Sequence, residues 1–136
     1  MRILVPLLIL MSMAGCGQRS QSESFESIRR LVCEGRHAEA IPRLEAYKGR
    51  HQSRAGLFLG KAHLGLGDLD QARKSFSDTI RDFPDSLEAH KCRYKLALLA
   101  LLDGDSEAAK VQFADLSNEA NGPLVAEAKA MAEYLE

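Results

Sequence analysis

The chain has 136 residues, which is the size of one domain, and its 18 basic and 19 acidic residues leave a net charge of -1. That balance argues against a nucleic-acid-binding protein, and three cysteines are too few for a disulfide scaffold. A hydrophobic content of 46% excludes a disordered chain, and abundant Ala and Leu beside 6% aromatic residues favour helices over an all-β sandwich.

The first predicted element is an export signal. Arg2 supplies a positive charge, and residues 3–13 form an apolar run that is too short to cross a bilayer as a mature helix. Two small residues and Cys16 come next. The run 13–16, Met-Ala-Gly-Cys, resembles the lipobox of bacterial lipoproteins, in which cleavage falls before the Cys and its thiol receives a diacylglyceryl group. We therefore expect a signal peptide over 1–15 and lipidation of Cys16. The alternatives are an ordinary cleaved signal peptide with a chance Cys and a buried amphipathic N-terminus.

The residues after the lipobox predict where the protein resides. Gly17 replaces the Asp that retains lipoproteins of diderm bacteria in the inner membrane, so the resemblance implies the outer membrane, facing the periplasm. Two or three acyl chains anchor stably, because each buried CH2 contributes about 0.8 kcal/mol. Residues 16–24 are polar and are expected to form a flexible tether. Residues 25–136 would then be a domain outside the cytoplasm.

Hydrophobic periodicity over the remaining chain predicts helices throughout and no strand of useful length. Asp68, with Gln71 three residues on, is typical of a capping box, and Ser86 is typical of an N-cap. The run 96–102 is apolar all round, which predicts a buried central helix. The last helix has one apolar stripe and resembles the helix that caps the open end of a repeat stack. The predicted helices run over 23–34, 37–48, 53–66, 69–82, 86–102, 106–120 and 123–135.

Three segments share a Gly, a small Ala and a large apolar residue four positions after the Ala. A Gly can adopt the left-handed conformation that closes one helix, and a small Ala lets two helices of a hairpin cross closely. The large residue lies one turn further on the same face and fills the space beyond the crossing. The three sets are Gly35, Ala40 and Leu44; Gly67, Ala72 and Phe76; and Gly104, Ala109 and Phe113.

The middle segment carries a longer pattern, consisting of Gly56, Leu59, Gly60, His63, Ala72, Phe76 and Pro84. Its Leu, second Gly, Ala, Phe and Pro stand at the separations of a tetratricopeptide repeat, which residues 53–84 therefore resemble. Gly56 and His63 replace the family's Trp and Tyr. The neighbouring segments match more loosely. The resemblance implies an all-α, tetratricopeptide-type helical-repeat solenoid of about three helix hairpins with a C-terminal capping helix over residues 25–136.

In this family the first helix of each pair lines a concave groove. The resemblance therefore implies a groove that combines apolar side chains with basic ones, suited to a protein or peptide partner with acidic and apolar residues. A core role for the leucines and a solvated face for the basic residues remain the alternative. The carried-over groove positions are Phe25, Arg29, Val32, Arg54, Leu57, Lys61, Leu64, Lys91, Tyr94, Leu98 and Leu101.

Chemical motifs are missing from the sequence. The four histidines have no metal-binding spacing, and neither a phosphate-binding loop nor a nucleophile elbow occurs. We expect His63 to pack in place of the family's Tyr, and Cys33 and Cys92 to be small buried hydrophobes rather than a disulfide. These features predict a protein that is not an enzyme and that has no cofactor, no metal and no small-molecule substrate.

The favoured function is therefore a non-enzymatic interaction or scaffold lipoprotein of the bacterial envelope, by analogy with small lipoproteins that help to assemble envelope complexes. Two alternatives stay open at this point. One is a periplasmic adaptor that regulates a peptidoglycan enzyme, and the less favoured one is a subunit of a secreted enzyme.

Overall fold

The computed structural model describes residues 23–119, 122 and 124–136. The predicted signal peptide, Cys16 and nearly all of the predicted tether lie outside these residues. Over the described part the chain is helical and has no strand, and none of its helices is long and apolar enough to cross a membrane. The helices are α1 (Phe25–Cys33), α2 (His37–Ala46), α3 (Gln52–Gly65), α4 (Leu69–Asp82), α5 (Leu87–Leu102), α6 (Ser106–Ser117) and α7 (Val125–Tyr134).

The all-helical prediction is confirmed, and every predicted helix is present. The predicted limits of α4 are those observed. The second helix ends at Ala46 rather than at 48, because Tyr47 has extended backbone angles. The sixth ends at Ser117 rather than at 120, and Asn118 is its C-cap.

Side-chain caps begin the helices where the sequence predicted them. Asp68 Oδ1 accepts from the Gln71 amide at 3.2 Å, and Ser86 Oγ accepts from the Ala89 amide at 3.0 Å. Each bond satisfies one of the free amides at a helix start. Only half of the predicted capping box forms, because the Asp68 amide donates to the carbonyl of His63 at 2.9 Å.

Left-handed glycines join the two helices of each hairpin. Gly35, Gly67 and Gly104 have φ angles of 77°, 78° and 80°, as predicted for residues that close a first helix. A Cβ at any of the three positions would meet no atom within 4 Å, so backbone conformation rather than space requires glycine there. The chain therefore reverses direction in the same way three times.

The helices pair as three hairpins, α1 with α2, α3 with α4 and α5 with α6, and α7 packs on α6. The first helices also contact each other, α1 on α3 and α3 on α5, so they form one row. The predicted close crossings are confirmed, because all the small and large residues of the three sets are buried. Those residues are Ala40, Leu44, Ala72, Phe76, Ala109 and Phe113.

The last helix seals the end of this row. Ala128 is fully buried against the cluster that contains Phe113, and Met131 and Leu135 pack on the same cluster. The predicted capping role of the last helix is confirmed in this arrangement.

Two sequence predictions about burial need correction. The run 96–102 is not buried all round, because Leu102 ends α5 at the hairpin turn and is 72% exposed, whereas Leu99 is buried. Cys33 is exposed at the last position of α1, so its predicted burial is wrong, whereas the predicted burial of Cys92 is confirmed. Both thiols are free.

Candidate functional site

An open cavity of about 370 Å³ lies along the row formed by α1, α3 and α5. Side chains of all three helices line it, which is where a tetratricopeptide-type stack is expected to have its concave face. We call this cavity the concave groove. Its lining residues are Glu26, Arg29, Arg54, Leu57, Phe58, Lys61, Leu87, Glu88 and Lys91.

Five of the residues predicted for the groove line it together, and the other six pack elsewhere. Those six fill the spaces between helices, because the apolar stripe of each first helix also has to cover the second helix behind it. Phe25 is 3% and Val32 is 8% exposed, which leaves them little surface for a partner. Phe25 and Val32 lie in the first core cluster, Leu64 packs on the second, and Tyr94, Leu98 and Leu101 pack on the third.

Two carboxylates that the sequence analysis missed also line the concave groove. Glu26 Oε2 accepts from Arg29 Nε at 2.7 Å, and this hydrogen bond lowers the pKa of Glu26. Glu88 Oε1 lies 3.5 Å from Arg54 Nε. Glu26 and Arg29 are three residues apart in one helix, a spacing that predicts an ion pair. Arg54 and Glu88 lie in different repeats, so no local spacing in the sequence predicts their contact.

Lysines supply the unpaired charge of the concave groove. Lys61, Lys91 and Lys95 have no carboxylate within ion-pair distance among the described residues. Burial lowers the pKa of Lys61, and the positive charges of Lys95 and Lys91 lower it further. The Lys61 ammonium lies 4.6 Å from the centre of the Phe58 ring. A desolvated lysine beside two others gains most from a ligand that brings negative charge.

The groove combines apolar and basic side chains. Phe58 and the exposed Leu87 provide apolar contact beside the lysines, so a segment with acidic and apolar side chains fits it. Burial raises the pKa of Cys92 to about 12, so this thiol stays protonated and serves as a core residue. His63 is buried in α3, as predicted for a residue that packs in place of the family's Tyr.

A comparison with known protein families identifies one of the helical repeats. Residues 56–86 match the family model described as a tetratricopeptide repeat. The fold is of the tetratricopeptide type. The matched segment runs from α3 through α4 to the start of α5, and it contains the Gly60, Ala72, Phe76 and Pro84 pattern. Comparisons with curated proteins and with solved structures each find no match. Tetratricopeptide repeats are generally non-enzymatic scaffolds for protein interactions, so the matched repeat suggests a role of this kind.

Proposed function

We propose that this protein is a non-enzymatic scaffold whose concave groove binds an acidic, partly apolar segment of a partner protein. One observation carries the proposal. Lys61 of α3 and Lys91 of α5 converge on one cavity, and neither lysine has a carboxylate partner among the described residues. Residues that are far apart in the chain thus present one basic surface.

The chemistry of the groove supports an acidic ligand. A partner carboxylate near Lys61 offsets both its lost hydration and its repulsion from Lys91 and Lys95. The arginine ends of the groove are already neutralised by Glu26 and Glu88, which disfavour further acidic contacts there. Acidic side chains are therefore directed to the lysines and apolar ones to Phe58 and Leu87.

The test uses charge reversal in the full chain. The probe is a fluorescein-labelled peptide of about twelve residues, built from Glu and Leu, and binding is followed by fluorescence anisotropy. The double variant Lys61→Glu, Lys91→Glu should weaken binding about tenfold or more and reduce its salt dependence. The control variant Lys48→Glu, Lys110→Glu makes the same charge change outside the concave groove and should leave affinity within about twofold. Equal effects of the two variants would overturn the proposal.

Because the pKa of Lys61 is lowered, the pH dependence of peptide binding provides a second test. As pH rises into the alkaline range, Lys61 loses its proton before an ordinary lysine does, so the affinity for the acidic peptide should fall early. In Lys61→Arg the guanidinium stays charged, so this early fall should disappear.

We further propose that the protein is lipidated on Cys16 and held at the outer membrane, facing the periplasm, where it takes part in assembling envelope complexes. The support is the sequence of residues 13–16, the absence of Asp after the Cys, and the polar tether. Mass spectrometry of the mature N-terminus should find a lipid-modified Cys16. A chain that keeps an unmodified Met1 would contradict this.

A further inference from the structure

A second cleft, of about 690 Å³, lies along α5 and α6 and shares no lining residue with the concave groove. Arg93, Leu96 and Ala100 of α5 face it. At 3.6 residues per turn, Ala100 is about half a turn around α5 from Lys91, which faces the groove. The two surfaces therefore lie on opposite sides of α5. We call this one the α5–α6 cleft.

The α5–α6 cleft combines an apolar floor with an acidic rim. Leu96, Ala100 and Leu116 line its floor, and Leu96 and Ala100 are partly exposed. Val111 lies one turn before Asp115 on α6 and is 58% exposed, which extends the apolar surface next to the rim. An apolar side chain of a partner can therefore be buried there.

Negative charge exceeds positive charge around the α5–α6 cleft. Its two arginines are already engaged, since Arg73 donates to Asp103 at 2.6 Å and Arg93 Nη1 donates to Glu119 at 3.3 Å. Asp115 is exposed and has no basic group within ion-pair distance in the part of the chain that the structure describes. The carboxylates on the rim are those of Asp103, Asp105, Asp115 and Glu119.

We propose that the α5–α6 cleft binds a basic segment of a partner protein, with an apolar side chain on Leu96 and Ala100 and a Lys or Arg beside Asp115. Charge complementarity decides the occupant, because the unpaired carboxylate attracts a cation and repels an acidic ligand.

The corresponding cleft between α2 and α4 is less acidic. It is smaller, at about 430 Å³, and it has three carboxylates beside two lysines, whereas the α5–α6 cleft has four carboxylates beside two arginines. Lys74 pairs with Asp78 at 2.7 Å. The excess of carboxylates is therefore larger in the α5–α6 cleft. With the concave groove on its other side, α5 would hold an acidic and a basic segment at the same time.

The experiment uses the full chain and a labelled peptide of about twelve residues built from Lys and Leu. Asp115→Lys should weaken binding about tenfold, because it replaces an attraction by a repulsion, and Asp115→Asn should weaken it less. Glu45→Lys makes the same charge change in the α2–α4 cleft and should leave affinity within about twofold. Amide NMR shifts on peptide addition should map to Ala100, Ala108 and Gln112.

Several outcomes would overturn the proposal. These are no binding of the peptide, equal losses in Asp115→Lys and Glu45→Lys, and NMR shifts confined to the concave groove. Self-association of the chain that Asp115→Lys abolishes would assign the cleft to a second copy instead. The Lys61→Glu, Lys91→Glu variant should still bind the basic peptide, which separates this test from that of the concave groove.

Discussion

At Gly60 the packing of two helices depends on the absence of a side chain. A Cβ there would collide with the ring of Phe76, which is fully buried between α3 and α4. Gly56 is similar, because its missing side chain leaves room for the hydroxyl of Thr79. The family pattern has Trp at the position of Gly56. In this chain Thr79 of the second helix occupies that space, which explains how a tetratricopeptide repeat tolerates the loss of a large residue.

Gly60→Ala should therefore destabilise the protein, although Ala normally favours a helix. The gain in helix propensity of about 1 kcal/mol opposes an overpacking cost of about 1–3 kcal/mol. We expect a net loss of about 1 kcal/mol in the free energy of unfolding, measured by urea denaturation.

The control places Gly60→Ala in a Phe76→Leu background. Leu lacks Cε1 and Cζ, two of the three ring atoms that the new Cβ would meet, so the cost of Gly60→Ala should be smaller there. A destabilisation of the same size with Leu at position 76 would show that the ring does not require the glycine.

At the scale of the helices, each element has one face that its neighbours must cover. For α1 to α4 the next hairpin provides that cover. For α6 at the end of the stack, α7 provides it through Ala128, Met131 and Leu135. An end helix of this kind prevents the apolar face of the last repeat from pairing with another molecule.

This role predicts different effects for two alanines of α7. Ala128→Glu places a carboxylate where the side chain is fully buried, so α7 should undock, with a loss of at least about 2 kcal/mol of stability and with self-association. Ala130→Glu introduces the same residue at an exposed position of the same helix and should be nearly neutral. Urea denaturation and size-exclusion chromatography measure both effects. Similar behaviour of the two variants would contradict a sealing role for α7.

At the scale of the whole molecule, a net charge of -1 conceals two surfaces of opposite sign. Basic side chains outnumber acidic ones in the concave groove, and the reverse holds in the α5–α6 cleft. The overall balance gave no sign of this separation.

Much of the fold was determined by the sequence, because its signals are local. The turn glycines, the caps of α4 and α5 and the buried Ala and Phe of each hairpin act over one or two helical turns, where residue type and spacing decide the outcome. The family match at residues 56–86 also depends on local patterns, because one repeat is one helical hairpin. Lys61 and Lys91 could be placed in the concave groove because they occupy corresponding faces of successive first helices.

Tertiary structure decided what depends on contacts between repeats. Whether Leu98 faces the concave groove or the core follows from how α5 rotates against α3 and α6, and many packed side chains set that rotation together. The same packing brings Glu88 to Arg54, exposes Cys33 while burying Cys92, and opens the α5–α6 cleft. A helical period shows which side chains share a face, but only the assembled neighbours decide which of them stay exposed.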